Sequence, residues 1–280
     1  MSNFLLANEP IIRLGVFVTI LALMILWEAL VPCRERRLSR WVRWPNNFAI
    51  VAVNTLVLRL LLPTAAVGLA LVAESRDWGL FNAVSVPAWL AIPASVIVLD
   101  FAIYLQHVMF HAVPAFWRLH RMHHADLDFD VTTGARFHPI EILLSMVIKL
   151  AVVAALGPPA LAVLIFEVLL NATSMFNHGN VSLPAHLDRP LRWIVVTPDM
   201  HRVHHSVHPD ETNSNFGFNL PWWDRLCGTY RQAPRGGHQA MQIGIDRFQS
   251  ARDTRLDQLL VQPFRGSAGN YPINRRDEDT

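Results

Sequence analysis

The chain has 280 residues, of which 52% are hydrophobic and 16% are charged, with a mean hydropathy of +0.28. A soluble domain typically carries roughly 25% charged residues, so this composition is typical of a protein embedded in lipid. The net charge of +2 is too small to indicate nucleic-acid binding, and we expect no nucleic-acid partner. Cys33 and Cys227 lie far apart and in no CxxC spacing, which predicts reduced thiols rather than a disulfide framework or a metal site.

Three apolar segments in the N-terminal part of the chain are long enough to cross a membrane, which takes about 20 mainly apolar residues. They cover residues 11–32, 47–73 and 87–110. The first is longer than a signal-peptide core and lacks a small-residue cleavage site, so we expect it to remain as an anchor. A fourth apolar stretch, 142–174, is interrupted by Gly-Pro-Pro at 157–159.

The segment between the first two spans, CRERRLSRWVRW, is rich in arginine and contains two tryptophans. Arginine-rich loops mark the cytoplasmic side of a membrane, and tryptophans favour its interface. A basic surface loop of a soluble protein is the alternative, which the flanking apolar spans disfavour. With this orientation, the third span returns to the cytoplasmic side near residue 111.

The stretch 142–174 determines whether two histidine-rich sequences can meet, because HRMHH precedes it and HRVHH follows it. A single crossing would leave them on opposite faces of the membrane. Glycine and proline interrupt a helix, which predicts a hairpin with arms at 142–156 and 160–174. Each arm would measure about 23 Å, slightly short of the roughly 30 Å hydrocarbon core, so the hairpin would be re-entrant. A single kinked span is the alternative.

Twelve of the thirteen histidines lie between residues 107 and 208, mostly in HVMFH (107–111), HRMHH (120–124) and HRVHH (201–205). Histidines three or four positions apart share a helix face, whereas adjacent ones point about 100° apart. Each HRxHH sequence can therefore offer ligands to two points, and eight imidazoles could hold two metal ions about 3.5–4 Å apart. A structural zinc needs only four ligands, and a solvated polar helix face is the other alternative. Imidazole suits zinc, copper, iron and nickel alike.

Asp100, Tyr104, His107 and His111 fall at helical spacing, which predicts one continuous stripe on the third span. An acidic residue about two turns inside an apolar run is expensive to bury and is a candidate for function. Metal-bound histidines commonly donate their second N–H to a carboxylate. We therefore expect Asp100 to orient His107 or a facing histidine, with snorkelling to the membrane interface as the alternative.

Two further carboxylates are candidates for the same role. Glu141 lies three residues after His138, and Asp199 lies two residues before His201. We expect each of these carboxylates to orient its neighbouring histidine. The candidate catalytic residues other than histidine are Asp100, Tyr104 and Asp199.

The order and spacing of the three histidine sequences resembles the membrane-bound di-iron oxygenases of the fatty acid hydroxylase and sterol desaturase superfamily. The supporting stretches are RFHPIE at 136–141, FNHGN at 176–180, TPDMHRVHHS at 197–206 and SNFGFNLPWWDRLCGTY at 214–230. The resemblance covers roughly residues 95–232. It implies two iron ions (Fe2+/Fe3+), O2 as co-substrate and attack on an unactivated C–H bond of a lipid.

The resemblance also assigns ligands. It places metal ligands at His107, His111, His120, His123, His124, His178, His201, His204 and His205. His138 matches the histidine of HPIE, and we assign it as a ligand while keeping an outer-shell role as the equal alternative. Some relatives carry HxxxH before the last box, but Ser182 stands four positions after His178, which leaves eight to ten ligands. His186 and His208 are weaker candidates.

The function that the resemblance implies is hydroxylation of an acyl chain, a sterol or a related lipid. A desaturase or ketolase acting on a sterol, carotenoid or acyl lipid is the alternative at the same site. A non-enzymatic membrane metal-binding or transport protein is the alternative from another class. The chain contains no GxGxxG, CxxCH or iron–sulfur cysteine pattern, so a separate electron donor, a ferredoxin or a reductase, is expected.

These observations together predict an all-α integral membrane protein of the bacterial inner membrane. We expect about four membrane helical elements, the last of them a broken hairpin, and a cytoplasmic helical cap that holds a histidine-rich di-metal site. The predicted regions are N-terminal membrane spans at 1–94, a fatty acid hydroxylase-like di-iron catalytic domain at 95–232 and a cytoplasmic C-terminal segment at 233–280. The tail from about residue 265 is expected to be disordered.

Overall fold

The computed structural model describes residues 2–62 and 65–274, and within these ranges the chain forms helices and no β-strand. An isolated antiparallel bridge joins Ser206 and Ile243. The α-helices are α1 Ser2–Ala7, α2 Glu9–Leu30, α3 Arg40–Leu61, α4 Ala66–Ser75, α5 Leu80–Ala83, α6 Ala88–Ala112, α7 Pro114–His124, α8 Pro139–Leu156, α9 Ala160–Asn177, α10 Ala185–Leu191, α11 Pro198–His204, α12 Pro209–Thr212, α13 Trp222–Leu226, α14 Gly237–Ala240 and α15 Leu256–Val261. Short 3-10 helices cover Thr133–Ala135, Ala251–Thr254 and Gln262–Phe264. The all-α prediction is confirmed.

Within the described ranges, five helical segments are long and apolar enough to cross a membrane. They are Glu9–Leu30, the segment Arg40–Ala83 (which contains α3, α4 and α5 and spans residues 63–64 outside the described ranges), Ala88–Ala112, Pro139–Leu156 and Ala160–Asn177. The apolar residues of α2, among them Leu14, Leu23 and Leu26, are mostly exposed on the surface of the protein. Large contiguous apolar surfaces are rare on soluble proteins. These faces therefore contact lipid, and the chain is an integral membrane protein.

The first and third predicted spans correspond to α2 and α6, but the second does not keep its predicted bounds of 47–73. Its helix α3 begins at Arg40, where the Ser39 side chain accepts a hydrogen bond from the Trp41 amide, and it ends at Leu61. The helix α4 then forms a separate element beyond residues 63–64, which lie outside the described ranges. The last five residues of the arginine-rich sequence, including Arg40 and Arg43, thus form the first turn of a membrane helix rather than a loop.

Arg43, which lies in the segment predicted to be a loop, is fully buried within α3. Its guanidinium donates to Asp126 Oδ1 at 2.7 Å and to Asp130 Oδ2 at 2.6 Å. Burial alone would raise the pKa of Asp126, but the guanidinium groups of Arg43 and Arg136 lower it to about 2, so this carboxylate is ionised. These ion pairs hold α3 against residues 126–130, which follow the HRMHH sequence.

The predicted hairpin is confirmed by α8 and α9, but each arm has 18 residues and is long enough to cross a membrane, which corrects the expected short, re-entrant arms. Gly157 ends α8 in the left-handed conformation, with φ 63 and ψ 49, and Pro159 caps the start of α9. A Cβ atom on Gly157 would lie 2.4 Å from the Trp78 carbonyl oxygen, so the turn requires glycine. Lys149 in the middle of α8 donates to Glu167 in the middle of α9 at 2.8 Å. Helices α8 and α9 therefore run side by side in opposite directions, so that the chain returns to the side of the bundle from which it came. This excludes the single kinked span.

The C-terminal region packs under α7, and the prediction of disorder from residue 265 is wrong for the part that the structure describes. Tyr271 is buried and stacks on Trp117 with ring centroids 5.3 Å apart. The Trp117 indole donates to the Ala268 carbonyl, and the Ile273 amide donates to the His111 carbonyl. Burial of the two aromatic rings and these hydrogen bonds hold the segment in place. Residues 275–280 of the predicted tail lie outside the described residues.

Candidate metal centre

Nine buried histidines form two groups, and within each group the candidate ligand nitrogens lie within 4.8 Å of one another. The first group is His107, His111, His120, His124 and His204, and the second is His123, His178, His201 and His205. Nine of the ten histidines predicted as ligands are brought together in this way, and His138 is not. All nine are buried, which excludes a solvated polar helix face.

The two HRxHH sequences divide their histidines between the groups in opposite proportions. HRMHH gives His120 and His124 to the first group and His123 to the second, whereas HRVHH gives His204 to the first and His201 and His205 to the second. This division follows from the 100° step between adjacent residues of a helix. It is also possible only because the α8–α9 hairpin returns the chain to the same side of the bundle.

Four histidines of the first group have their Nδ1 atoms held by hydrogen-bond acceptors. These pairs are His107 with Phe216 O at 2.7 Å, His111 with Asn213 Oδ1 at 3.0 Å, His120 with Glu141 Oε1 at 2.6 Å and His204 with Ser214 O at 2.7 Å. The Asn213 amide nitrogen donates to the Tyr271 carbonyl at 2.7 Å, which fixes which end of that amide faces His111. Because these oxygens only accept, each Nδ1 carries the proton and each Nε2 presents its lone pair.

These lone pairs converge on one point. The Nε2 atom of His107 lies 3.1 Å from that of His120 and 3.0 Å from that of His204. Facing lone pairs at this distance repel one another unless a cation lies between them. Two nitrogens each about 2.1 Å from one ion would be about 3.0 Å apart at a right angle and about 3.4 Å apart at a tetrahedral angle. The observed spacing is therefore short enough for these nitrogens to share one ion.

The second group converges in the same way. His178 donates from Nδ1 to the Ser174 carbonyl at 2.8 Å, and its Nε2 lies 3.2 Å from His123 Nε2 and 3.1 Å from His201 Nε2. Both ring nitrogens of His205 are buried and have no hydrogen-bond partner within the described ranges. Buried polar atoms are nearly always satisfied. A metal ion at the centre of this group would satisfy one of the two, because each histidine offers one ligand nitrogen.

The electrostatics of the second group favour metal binding. Burial, followed by the neighbouring histidines, lowers the pKa of His201 and His205 well below 6.5. Burial also lowers the pKa of His178 to about 4. These imidazoles are therefore neutral at neutral pH, which is the form that binds a metal ion.

The two groups lie side by side. The His124 and His205 rings, one from each group, stack with centroids 4.6 Å apart, and those of His201 and His204 are 5.1 Å apart. Adjacent groups of five and four imidazoles fit a pair of neighbouring ions, as two-metal sites require. One closed four-ligand site would leave the other group without a role.

Asp100 does not contact a histidine, which corrects its predicted role as a direct partner of His107. Its carboxylate accepts from the Asn219 and Leu220 amides at 3.3 and 3.2 Å and from the Trp223 indole at 2.8 Å. The two-turn spacing that puts Asp100 and His107 on one stripe also separates them by about 10 Å along α6. Asp100 instead holds the segment whose Phe216 carbonyl orients His107.

Tyr104 also lies outside the two histidine groups. Its hydroxyl hydrogen bonds to the Thr229 hydroxyl at 3.0 Å, and its ring meets Phe216 edge-on at 6.4 Å. Asp224 holds the same segment from the other side, because it accepts from the Phe216 and Gly217 amides. The predicted stripe is a buried face of α6. Its N-terminal half, Asp100 and Tyr104, positions residues 216–223 rather than a histidine.

Glu141 and Asp199, which were each predicted to orient a neighbouring histidine, have different hydrogen-bond partners. Glu141 orients His120 at 2.6 Å rather than His138. Asp199 accepts from Ser182 Oγ at 2.8 Å and from Arg202 Nη1 at 2.5 Å, and the Nδ1 atom of His201 has no partner within the described ranges. Glu141 is thus the carboxylate of the site, and Asp199 fixes α11.

His138 caps the start of α8 and lies outside both groups, which corrects its assignment as a ligand. Its Nδ1 accepts from the Ile140 amide, and its Nε2 hydrogen bonds to the Leu260 carbonyl, both at 3.2 Å. His138 precedes the first residue of α8 and therefore caps the helix, whereas Glu141 lies in its first turn and contacts His120.

The oxygens of Asn213, Ser214 and Phe216 that orient histidines were not predicted. The conspicuous SNFGFN sequence is the signal for them, although backbone carbonyls leave no side-chain pattern.

A cavity of ≈ 290 Å³ reaches the first histidine group from within the membrane bundle. Its lining includes His107, His120 and Glu141, with Phe110 and Phe137 beside them. Ligand pockets typically measure about 300–1,000 Å³, so this space suits one alkyl chain or one ring system. It gives an apolar molecule a route from the bundle to the histidines.

Residues 92–229 match the family model described as fatty acid hydroxylase. The ornithine lipid hydroxylase of Rhizobium tropici is 31% identical over 159 residues, 57% of this chain and 46% of that protein. The alkylglycerol monooxygenase of Xenopus tropicalis is 32% identical over 136 residues, 47% of this chain and 28% of that protein. The cholesterol 25-hydroxylase of Rattus norvegicus is 28% identical over 138 residues, 48% of this chain and 45% of that protein.

Residues 92–229, just under half of the chain, are thus similar to the fatty acid hydroxylase family and to lipid hydroxylases and monooxygenases. The matched part spans less than half the length of each of these three relatives. All three are named as hydroxylases or monooxygenases. No solved structure matches the chain.

Proposed function

We propose that this protein is an O2-dependent lipid hydroxylase in which the nine histidines of the two groups hold two iron ions. The observation that carries the proposal is the convergence of Nε2 atoms at 3.0–3.1 Å in the first group, at the inner end of a membrane cavity. The names of the relatives support the reaction, because they act on ornithine lipid, alkylglycerol and cholesterol.

Iron is favoured by the chemistry of the ligand set. The first group offers five imidazoles, one more than a tetrahedral zinc accepts, and imidazole is a good ligand for iron. When bound, the iron pair would supply the oxidising power that a C–H bond requires, with O2 as co-substrate. Two electrons per turnover would come from a separate reductase or ferredoxin.

The protein side chains would bind and orient the site. Glu141 and the Phe216 carbonyl hold the rings of His120 and His107, which line the cavity. Outer partners of this kind fix ring orientation and raise ligand basicity. Phe110 and Phe137 line the same end of the cavity, where they would exclude water and so protect a reactive carbon centre from side reactions.

The proposed location is the inner membrane of a bacterium, with the histidine groups on the cytoplasmic side. The basic residues around the start of α3 support this orientation, because Arg36 and Arg37 remain outside the buried core of the protein. A cytoplasmic site is also where a soluble electron donor would reach the metal centre.

Comparative lipid mass spectrometry on cells with and without the gene tests the reaction. A lipid that gains one oxygen atom in wild-type cells, and does not in cells carrying His204→Ala, would establish hydroxylation. A lipid that loses two hydrogen atoms would instead establish a desaturase. If no lipid differs between the strains, the enzymatic proposal is contradicted in favour of a metal-binding protein.

A further inference from the structure

The only lysine of the chain, Lys149, lies in the middle of α8, a helix able to cross the membrane. Its Nζ donates to Glu167 Oε1 of α9 at 2.8 Å, and Glu167 Oε2 pairs with Arg13 of α2 at 2.9 Å. Charged groups inside membrane segments are costly and by default indicate a functional site. The described contacts of the histidine groups do not involve these three residues.

This ion cluster and the histidines line the same cavity. Lys149, Glu167 and Arg13 lie along it together with His107 and His120. Lys149 comes eight positions after Glu141 on α8, a separation of about 12 Å along the helix. The cavity therefore has a charged end and a metal-binding end, with apolar side chains such as Ile142 and Met146 between them.

The cluster retains hydrogen-bond donors for a ligand. The Glu167 side chain is 2% exposed and already lies between two cations. An ammonium group has three N–H donors, and the structure describes one protein hydrogen bond from Lys149, the bond to Glu167. The remaining donors of a cavity-lining lysine are suited to an oxygen acceptor on a bound molecule.

We propose that Lys149 binds the oxygen-bearing polar end of the lipid substrate, a carboxylate, hydroxyl or ester, while the hydrocarbon part extends toward His107 and His120. This inference rests on the proposed function and deepens it. It defines the substrate as an amphiphile whose polar oxygen and attacked carbon are separated by the part of the cavity between Lys149 and the two histidines. The distance would set which carbon along the chain or ring system reacts.

A purely structural role for the ion cluster makes a different prediction. If the charges only hold α2, α8 and α9 together, then Glu167→Gln should have at least as large an effect as Lys149→Met, because it removes the ion pairs of Glu167 with both Lys149 and Arg13. If Lys149 binds the substrate, Glu167→Gln leaves the donor in place and preserves binding. A matched control for charge is Arg59→Met, which removes an exposed cation of α3 that does not line the cavity.

The test measures equilibrium binding of three probes of equal chain length, namely hexadecane, hexadecan-1-ol and palmitate, to the full chain in detergent. We expect wild type to bind at least one oxygen-bearing probe about tenfold or more tightly than hexadecane, as one hydrogen bond to a charged group predicts. Lys149→Met should remove this preference and leave hexadecane affinity unchanged. Glu167→Gln and Arg59→Met should retain it. Preference for palmitate alone assigns a carboxylate, and preference for both probes assigns a hydroxyl-type oxygen.

Equal affinities for all three probes in wild type would overturn the proposal, as would a preference that survives Lys149→Met or that Glu167→Gln abolishes equally. Thermal unfolding is followed for every variant, and Lys149→Gln replaces Lys149→Met if the latter does not fold. Hydroxylated lipid without a probe preference would overturn this inference and leave the proposed function standing. A lysine-dependent preference without any hydroxylated lipid would contradict the proposed function and leave the binding role of Lys149 standing.

Discussion

The Glu141 carboxylate lies 2.6 Å from Nδ1 of His120, and both side chains are buried. This contact joins the start of α8 to the end of α7, so the first arm of the membrane hairpin also orients a histidine of the first group. An anionic partner strengthens the metal-binding capacity of the imidazole it holds. This hydrogen bond therefore couples folding of the hairpin to assembly of the first histidine group.

Replacement of Glu141 by glutamine should weaken metal binding at the first group by about 10- to 100-fold, because the orienting partner loses its charge. Metal affinity of the purified full chain, measured by competition with a chelator, checks this expectation. Glu74→Gln is the matched control, since Glu74 is an exposed acid at the end of α4. Equal affinities in the two variants would contradict the role of Glu141.

His138 and His205 should respond differently to alanine. His205→Ala removes a histidine whose two ring nitrogens have no protein partner within the described ranges, and it should lower the metal content and decrease product formation by more than about 100-fold. His138→Ala removes a helix cap and should cost about 0.5–2 kcal/mol of stability with metal content unchanged. Elemental analysis and unfolding in detergent, done on both variants, give the comparison. Metal loss in His138→Ala would show that it is a ligand.

Arg43→Met should destabilise the protein strongly. Arg43 is buried between Asp126 and Asp130, and removal of one partner from a buried ion pair typically costs 3–5 kcal/mol. The unfolding midpoint in detergent should therefore fall well below that of wild type. Arg59→Met, at an exposed position of the same helix, should change it little. Similar midpoints for both variants would be inconsistent with a supporting role for the Arg43 cluster.

Labelling of cysteines can test the orientation. Cys227 is exposed and Cys33 is half-buried, so Cys33→Ser leaves one reactive thiol beside the segment that orients the histidines. A membrane-impermeant thiol reagent should label it in inside-out vesicles and not in right-side-out vesicles. The opposite pattern would place the histidine groups on the outer side of the membrane.

The sequence predicts the hairpin and most of the site because helix periodicity is local. The adjacent and spaced histidines of the two HRxHH sequences divide between two points as a 3.6-residue helix requires, and Gly157 with two prolines indicates the turn. The partners of the ligands were harder to predict. Phe216 and Ser214 act through backbone carbonyls, and Arg43 is drawn into the core by Asp126 and Asp130, which are distant in sequence. Such contacts depend on tertiary packing that a single sequence does not encode locally.

The proposed domain boundaries at 95 and 232 remain predictions. The structure adds that the C-terminal segment contacts earlier parts of the chain: Arg34 donates to the Met241 carbonyl at 2.5 Å, and the Leu256 amide donates to Asn46 Oδ1 at 2.8 Å. The end of this segment also reaches α6 through the Ile273 amide. Truncation before residue 265 should therefore lower stability, because Trp117 would lose the Tyr271 ring that covers it.

The metal content of the purified full chain tests the central claim most directly. With two histidine groups, we predict two iron ions per chain by elemental analysis. His204→Ala and His205→Ala, one from each group, should each lower that content, and Arg59→Met should not. One zinc ion per chain, or an iron content unchanged in both histidine variants, would contradict the account.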